Sequence, residues 1–378
     1  MQSAVKRFAA FFSATPTVPQ LQACEELPDE LLHLIISLLC FFRDLLAFAA
    51  TCHSWRAAFS SYPSKSTFCS VCPPLLVKLV PSAQAPHDDR KLRTCKVIDP
   101  ANENTTLHCQ IPQEALDNSA CYHACYSYGQ LICYRREYFC IVDVFTSAEV
   151  SSPPLPLSSN DCHKFFYCAI LTAPLASRNS HLLISTRLFL YDWLVGSDSW
   201  SELSLSERLH QIVHHDSQFI AMDSQSSLYT LQLAPRLSLQ KLITKQLDNL
   251  TASAYSPPWI VVCGDMLVMV KNKHAFRLDM SAKPAEWVEV KLGNWALFES
   301  GDVRSPVFSC INPERWGGWS SRLYHAHSPH PLILPWHSPW IVLKLGSYHV
   351  PRQYSYKKWF RALQAIWVYP SMFCADGQ

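Results

Sequence analysis

A strand-and-turn pattern that recurs along most of the chain is the feature that most limits its fold. Residues 189–192 read Phe-Leu-Tyr-Asp, and Trp200 follows eight residues after the Asp. Residues 276–279 read Phe-Arg-Leu-Asp, and Trp287 follows at the same step. Runs of aromatic and branched residues between Ser, Pro, Asn and Asp breaks predict strands. Each copy therefore predicts a strand, a turn that begins at the Asp, and a returning strand with a buried Trp.

Weaker copies of this pattern extend it over the region after residue 70. Strand ends are predicted near positions 99, 143, 192, 232, 279 and 326, roughly 40–50 residues apart. That period is typical of propeller blades. The span from 70 to 378 predicts six or seven blades, and seven fit the spacing slightly better. The alternative is a pair of β-sandwiches with accidental spacing.

The segment from residue 25 to residue 60 has a different texture and predicts three short helices. Pro28 suits a first helical turn, and Asp29 and Glu30 then lie at the positive end of the helix dipole. Between residues 31 and 39 only His33 and Ser37 are polar, so the first helix is apolar on nearly every face. A unit this small cannot build its own core, and surplus apolar surface indicates an interface. A membrane span and an ordinary core helix are the alternatives, but the apolar run is shorter than the roughly 20 residues a span needs.

This segment resembles the F-box. The family pattern of Leu-Pro, an acidic helix start, Asp-Leu and Cys-x-x-Trp-Arg is present at residues 27–28, 29–30, 44–45 and 52–56. In that family the helices dock onto the Skp-type adaptor of a cullin-RING ubiquitin ligase. By position, the resemblance implies these adaptor-binding residues: Leu27, Pro28, Leu31, Leu32, Ile35, Leu38, Leu45 and Trp55.

The region behind it is similar to the plant family "domain of unknown function 295", a kelch-like, KIB-type propeller. The similarity lies in residues 292–298, 305–308, 322–324 and 367–370. The predicted fold class is therefore α+β multidomain, with a small three-helix F-box before an all-β propeller. The predicted domains are a flexible N-terminal segment (1–24), the F-box (25–62), a linker (63–74) and the propeller (75–375).

Charge and cysteine content limit the classes of partner. The chain has 32 basic and 30 acidic residues without a basic stripe, so we expect no nucleic-acid partner, and no membrane partner either. Several of its 16 cysteines lie inside apolar runs, which indicates small buried thiols in a reducing compartment. The first twenty residues are basic and rich in Ser and Thr. They are interpreted as a lead-in to the F-box rather than as a transit peptide.

Motifs that could carry chemistry are few. Cys69 and Cys72 have zinc-ligand spacing, and residues 121–125 (Cys-Tyr-His-Ala-Cys) add soft ligands, but neither cluster has an evident partner pair. The triplet at 214–216 (His-His-Asp) is interpreted as a strand-to-turn boundary between blades rather than as an acid–base site. We therefore predict no catalytic residue, no metal and no cofactor.

An aromatic loop is the candidate substrate contact. Trp316 and Trp319 flank a Gly-Gly pair, and aromatic residues on propeller loops are good anchors for protein partners. The alternative is that both rings pack between blades.

Together these features predict the substrate-recognition subunit of an SCF-type ubiquitin ligase. It would be non-catalytic, would act in the cytoplasm or nucleus, and would bind the adaptor, through it cullin, and an unknown target protein. The alternatives are a propeller that acts as an enzyme or small-molecule sensor, and a scaffold derived from an F-box protein.

Overall fold

The computed structural model describes twelve stretches of the chain. They are residues 27–39, 41–63, 65–79, 92–112, 124–135, 137–156, 166–245, 258–271, 274–300, 305–326, 340–345 and 365–374. The predicted flexible segment 1–24 lies outside them. Among the described residues, no helix is long and apolar enough to cross a bilayer.

Helices occupy the beginning of the described chain. They are α1 (Asp29–Leu38), α2 (Phe42–Thr51), α3 (His53–Ser61) and the short α4 (Phe68–Val71). The Pro28 carbonyl accepts hydrogen bonds from the first turn of α1, and two acidic side chains in that turn complement its dipole. Residues 63–74, predicted to be a linker, instead contain a 3-10 turn (Lys65–Thr67) and α4, and much of this stretch is buried.

All strands in the described residues fall into six four-stranded sheets, named blades 1 to 6, so the fold is a six-bladed β-propeller behind a few helices. Blade 1 contains β1 (Leu75–Leu79), β2 (Leu92–Asp99), β3 (Asn102–Pro112) and β24 (Ile366–Val368). Blade 2 contains β4 (Ala124–Ser127), β5 (Gln130–Arg135), β6 (Tyr138–Asp143) and β7 (Glu149–Ser151). Blade 3 contains β8 (Cys168–Leu171), β9 (His181–Ser185), β10 (Phe189–Leu194) and β11 (Ser201–Ser204). Blade 4 contains β12 (Leu209–His215), β13 (Gln218–Asp223), β14 (Leu228–Gln232) and β15 (Ser238–Leu242). Blade 5 contains β16 (Trp259–Cys263), β17 (Met266–Lys271), β18 (His274–Asp279) and β19 (Glu286–Val290). Blade 6 contains β20 (Trp295–Glu299), β21 (Phe308–Ile311), β22 (Arg322–Ala326) and β23 (Trp340–Lys344).

The predicted fold class is confirmed, but the preference for seven blades is wrong. The six strand ends predicted from the sequence all fall on the third strand of a blade, counted outward from the axis. The span from 70 to 378 is long enough for seven repeats, but connections between strands take up part of it. One example is the stretch between Ile311 at the end of β21 and Arg322 at the start of β22.

Blade 1 closes the ring by joining the first three described strands to the last one. The last strand, β24, is innermost and pairs antiparallel with β1, with Leu75 opposite Val368 and Val77 opposite Ile366. Closure of this kind protects strand edges that would otherwise be exposed. Blade 6 departs from the simple meander, because β20 pairs antiparallel with the innermost β21 and parallel with β22.

The repeated Asp residues form turns in some blades only. The Asp143 carboxylate accepts the backbone N–H groups of Phe145 and Thr146, and Asp279 does the same for Ser281. Asp192 instead lies within β10 and pairs with His181.

The two repeated Trp residues, predicted to be buried, are only half-buried. Trp200 packs against Trp193 of its own blade and Phe139 of blade 2, with ring centroids 5.9 and 6.2 Å apart. Trp287 packs against the core shared by blades 4 and 5. Both Trp side chains thus lie at the edges of the contacts between blades.

One apolar core joins the helices to the propeller. It contains Leu32 and Phe42 from the helices, Val97 of blade 1 and Val142 of blade 2. Phe373 lies at its centre, because its ring contacts those of Phe42, Phe59 and Phe68 at 4.7, 5.6 and 5.8 Å. The helices are therefore fixed on the end of the ring where β24 leads into residues 369–374.

Candidate functional site

The outer face of α1 is apolar and exposed. Leu31, Leu34 and Leu38 expose 48%, 56% and 69% of their surface, and their spacing of three and four residues puts them on one side of the helix. Leu32 and Ile36, on the opposite side, are completely buried. Helix α1 therefore presents one apolar stripe to solvent while its other side holds the shared core.

Contacts from α3 fix the position of this stripe. Nε2 of His33 in α1 lies 3.1 Å from the Ala58 carbonyl oxygen and 3.3 Å from Ser61 Oγ. The His33 ring also meets the Tyr62 ring edge-on at 5.4 Å. Between α2 and α3, Arg56 Nε donates to the Ala49 carbonyl oxygen at 3.2 Å. The three helices thus form one unit, and α1 cannot turn its stripe inward without breaking these bonds.

The structure divides the eight predicted adaptor-binding residues into three groups. Pro28, Leu31 and Leu38 are exposed on α1 or at its start. Leu27, Ile35 and Trp55 are half-buried, and Trp55 packs on the Phe48 ring at 4.5 Å.

Leu32 and Leu45 form the third group. Both are completely buried, so they support the helical unit from inside and offer a partner no surface. Leu34 was missed by the sequence reasoning, although its position one turn beyond Leu31 could have indicated it.

The two Trp residues of the aromatic loop in blade 6 differ in burial. Trp316 is buried against Phe298 and Tyr324, with ring centroids 6.1 and 5.6 Å away, and its Nε1 donates to Cys310 Sγ at 3.4 Å. The prediction that Trp316 contacts a substrate is corrected by this burial, because the ring fills a gap in the blade core. Trp319 remains 60% exposed, with the Arg322 guanidinium carbon 5.9 Å from its ring centroid.

The loop that carries Trp319 connects β21 to β22 in blade 6. Phe41, which precedes α2, packs against the cluster that contains Trp316.

Three aromatic rings meet near the axis of the propeller, at the end of the ring that carries the helices. They belong to the inner strands β4 and β21 and to the residue that follows β24. The Phe308 ring lies 5.7 Å from that of Tyr126 and 5.0 Å from that of Tyr369. The Tyr126 hydroxyl bonds to the backbone of Tyr369, accepting its N–H at 2.7 Å and donating to its carbonyl oxygen. Burial raises the pKa of both tyrosines well above the usual value, so both hydroxyls stay protonated.

The candidate metal ligands do not converge in the described part of the chain. No group of three or more His, Cys, Asp or Glu there is arranged to hold a metal ion. Cys69 and Cys72 are buried thiols, and burial, followed by Cys374, raises the pKa of Cys69 well above the usual value. Such thiols behave as core residues. Cys125 is buried in blade 2, whereas Cys121 and His123 lie outside the described residues.

The triplet at 214–216 is a strand-to-turn boundary, since His214 and His215 end β12 and Asp216 begins the turn, but it lies inside blade 4 and not between blades as predicted. Asp216 and Ser217 have positive φ values of 48° and 60° between β12 and β13. Burial and the neighbouring His215 lower the pKa of His214.

Two family profiles match the chain. An F-box-like profile matches residues 24–62, which contain α1 to α3. The KIB1-4 beta-propeller profile matches residues 97–310, more than half of the chain. The chain belongs to the KIB1-4 beta-propeller family. As a member with an F-box-like domain, it has the architecture of non-catalytic F-box receptors; plant origin and a kelch-like repeat stay predictions.

The similarity of this KIB1-4 propeller to individual proteins is low. No curated protein matches it. Among solved structures, the WD40 domain of SCAP from fission yeast is 11% identical with a TM-score of 0.33, covering 60% of this chain and 58% of that one. AztD from Citrobacter koseri is 13% identical with a TM-score of 0.31, covering 57% and 56%. The chain thus spans just over half the length of these two structures.

Proposed function

We propose that this protein is the substrate-recognition subunit of an SCF-type ubiquitin ligase, with the outer face of α1 docking a Skp-type adaptor. The observation that carries the proposal is the exposed stripe of Leu31, Leu34 and Leu38 on a helix whose other side is buried. Apolar surface of this kind is removed from water by a partner. The F-box-like match over the same helices supports the identity of that partner.

The shared core adds a reason why this arrangement suits a receptor. Because Phe373 locks the helices onto the propeller, the adaptor and a target on the propeller are held at a fixed separation. Fixed geometry raises the local concentration of target lysines near a conjugating enzyme brought by cullin. The chain itself performs no bond chemistry in this proposal, and it acts in the cytoplasm or nucleus, where the adaptor is found.

The test is capture of a purified Skp-type adaptor by the full chain. Replacing Leu31, Leu34 and Leu38 together with Ser should weaken capture by about 100-fold or more, since each buried Leu is worth about 1.5–3 kcal/mol. The matched control replaces Leu188, Leu194 and Ile243, which are exposed to similar degrees on the propeller, and should bind normally. A Leu27→Ala/Pro28→Ala variant is less clean, because Leu27 packs on the core. Failure of the unaltered chain to bind the adaptor, or equal binding by both triple variants, would overturn the proposal.

Trp319 is proposed as one contact for the target protein. Its ring is exposed and held beside Arg322, while its backbone N–H donates to the Tyr324 hydroxyl at 2.9 Å. An aromatic ring on a fixed backbone costs little entropy to order, which is typical of a hot spot. Trp319→Ala should reduce target capture but leave adaptor capture unchanged. A loss of adaptor capture alone would assign this residue to the adaptor surface instead.

A further inference from the structure

Three side chains meet at the start of two neighbouring inner strands. Tyr167 directly precedes β8, Arg208 directly precedes β12, and His210 is the second residue of β12. The Tyr167 and His210 rings are stacked, with centroids 5.9 Å apart and planes 25° apart. The Arg208 guanidinium carbon lies 5.2 Å from the Tyr167 ring centroid. Stacking on Tyr167 thus holds a guanidinium in place beside an imidazole.

These residues lie on the end of the ring opposite the helices. Ser127, at the end of β4, exchanges hydrogen bonds with the backbone of Leu171, at the end of β8, so these inner strands run side by side in one direction. The end of β4 also meets residue 369 at the helical end, through Tyr126. The beginnings of β8 and β12 therefore lie at the other end, which the helical unit leaves open.

His210 carries an unsatisfied nitrogen. Its Nε2 is buried and has no hydrogen-bond partner among the residues that the structure describes. A buried polar atom without a partner carries a desolvation cost and requires an explanation. Burial, followed by the Arg208 charge, lowers the pKa of His210 to about 4, against a smaller opposite effect of Asp223. The imidazole is therefore neutral near pH 7.

The acidic group whose charge acts on His210, Asp223, is already engaged. The Asp223 carboxylate accepts the backbone N–H groups of Gln225 and Ser227 and the hydroxyl of Tyr229, all within 2.9 Å. The ion pairs found among the described residues do not include Arg208, whose side chain is exposed. One fixed cation and one unsatisfied imidazole nitrogen thus lie side by side.

We propose that Tyr167, Arg208 and His210 form a binding site for an anionic group, a carboxylate or a phosphate, carried by the target protein. Arg208 donates its guanidinium N–H groups to the anion, and Nε2–H of neutral His210 donates a further bond after a rotation of the half-buried Tyr167 side chain. Charge-assisted bonds of this kind are the strong ones. The site deepens the proposed receptor function and places an anchor for the target on the open face.

The test uses inorganic phosphate and acetate as separate probes of the full chain, with the His210 ring signals followed by NMR. Two charge-assisted hydrogen bonds predict saturation in the millimolar range. Arg208→Gln should weaken phosphate binding by about 10-fold or more, since one such bond is lost. The control Arg187→Gln removes an exposed Arg of the neighbouring β9–β10 turn and should change nothing.

Peptides carrying either phosphoserine or glutamate then distinguish the two sources of the anion. Tighter binding of the phosphopeptide assigns the site to phosphate, and equal or tighter binding of the glutamate peptide assigns it to carboxylate. No saturable change at His210, or the same loss in the Arg187→Gln control, would overturn the site. Arg208→Gln should keep full adaptor capture, so failure of this site and failure of the receptor function give different results.

Discussion

Gly129 shows how one backbone position of blade 2 allows the close approach of residues 369–374. Its φ is +80°, and a Cβ at this position would lie 2.2 Å from the Cα of Ser371. The Ser371 hydroxyl donates to the Asp143 carboxylate at 2.6 Å, and Gln130 donates to the same oxygen at 3.2 Å. The C-terminal segment therefore presses directly on the turn between β4 and β5, where only glycine fits.

Two glycine substitutions test this close approach. Gly196 has a similar φ of +92° but no atom within 4 Å of its added Cβ. Gly196→Ala should cost only the strain of a positive φ, about 1 kcal/mol. Gly129→Ala should cost about 2–4 kcal/mol, because overpacking is added to the same strain. Urea unfolding measures both, and equal losses in the two variants would contradict the contact with Ser371.

At the scale of residues, the sequence pattern predicts which side chains of α1 share a face, but not which predicted site residues are buried. Three-and-four spacing places Leu31, Leu34 and Leu38 on one side of α1, so this stripe follows from helix geometry. The burial of Leu32 and Leu45 depends on residues far away in sequence, such as Phe373. Spacing also could not separate Trp316 from Trp319, because the burial of Trp316 depends on its packing against the rings of Phe298 and Tyr324.

At the scale of elements, blade 6 is joined to blade 1 through polar contacts. Trp367 of β24 donates from its Nε1 to the carbonyl oxygens of Glu299 and Tyr324, at 3.1 and 3.2 Å. Next to these, His325 of β22 lies 2.9 Å from the Glu299 carboxylate across the parallel pair. Strand β24 thus closes the ring beside an ion pair that can titrate.

This pair predicts a pH dependence of stability. Burial alone would lower the pKa of His325, but the charge and hydrogen bond of Glu299 outweigh it and raise the pKa. A raised folded-state pKa gives stability that is full below the unfolded value of about 6.5 and is lost as pH rises through the folded value. The melting temperature should therefore fall over this window in the unaltered chain and less in His325→Gln. His274→Gln, which removes an exposed pair with Glu289, is the control and should keep the slope.

At the scale of the whole molecule, the helices and the ring share one core. Leu32 of α1 and Val97 of blade 1 belong to the same buried cluster. Cooperative unfolding is expected where no boundary of water or polar residues separates two parts. The helical unit should thus not melt before the propeller.

Two core substitutions test that cooperativity. Leu32→Ala should lower the free energy of unfolding by about 2–5 kcal/mol, and Phe373→Ala by about 3–5 kcal/mol. Both should shift one common transition, seen equally by far-UV circular dichroism and by fluorescence of the propeller Trp residues. A separate early transition in Leu32→Ala would show that the helices unfold independently. Phe373→Leu, which keeps most of the volume, is the milder control.

The sequence by itself determined which elements form and how they repeat. Period and composition act locally, so strand ends at 99, 143, 192, 232, 279 and 326 and the helices near residues 29–61 could be predicted from neighbouring residues. Only the tertiary structure decided that there are six blades, that β24 completes blade 1, and that Phe373 seats the helices on the ring. These features bring together residues such as Leu75 and Val368, or Phe42 and Phe373, that are far apart in sequence, and burial and strand pairing over such distances are properties of the assembled core.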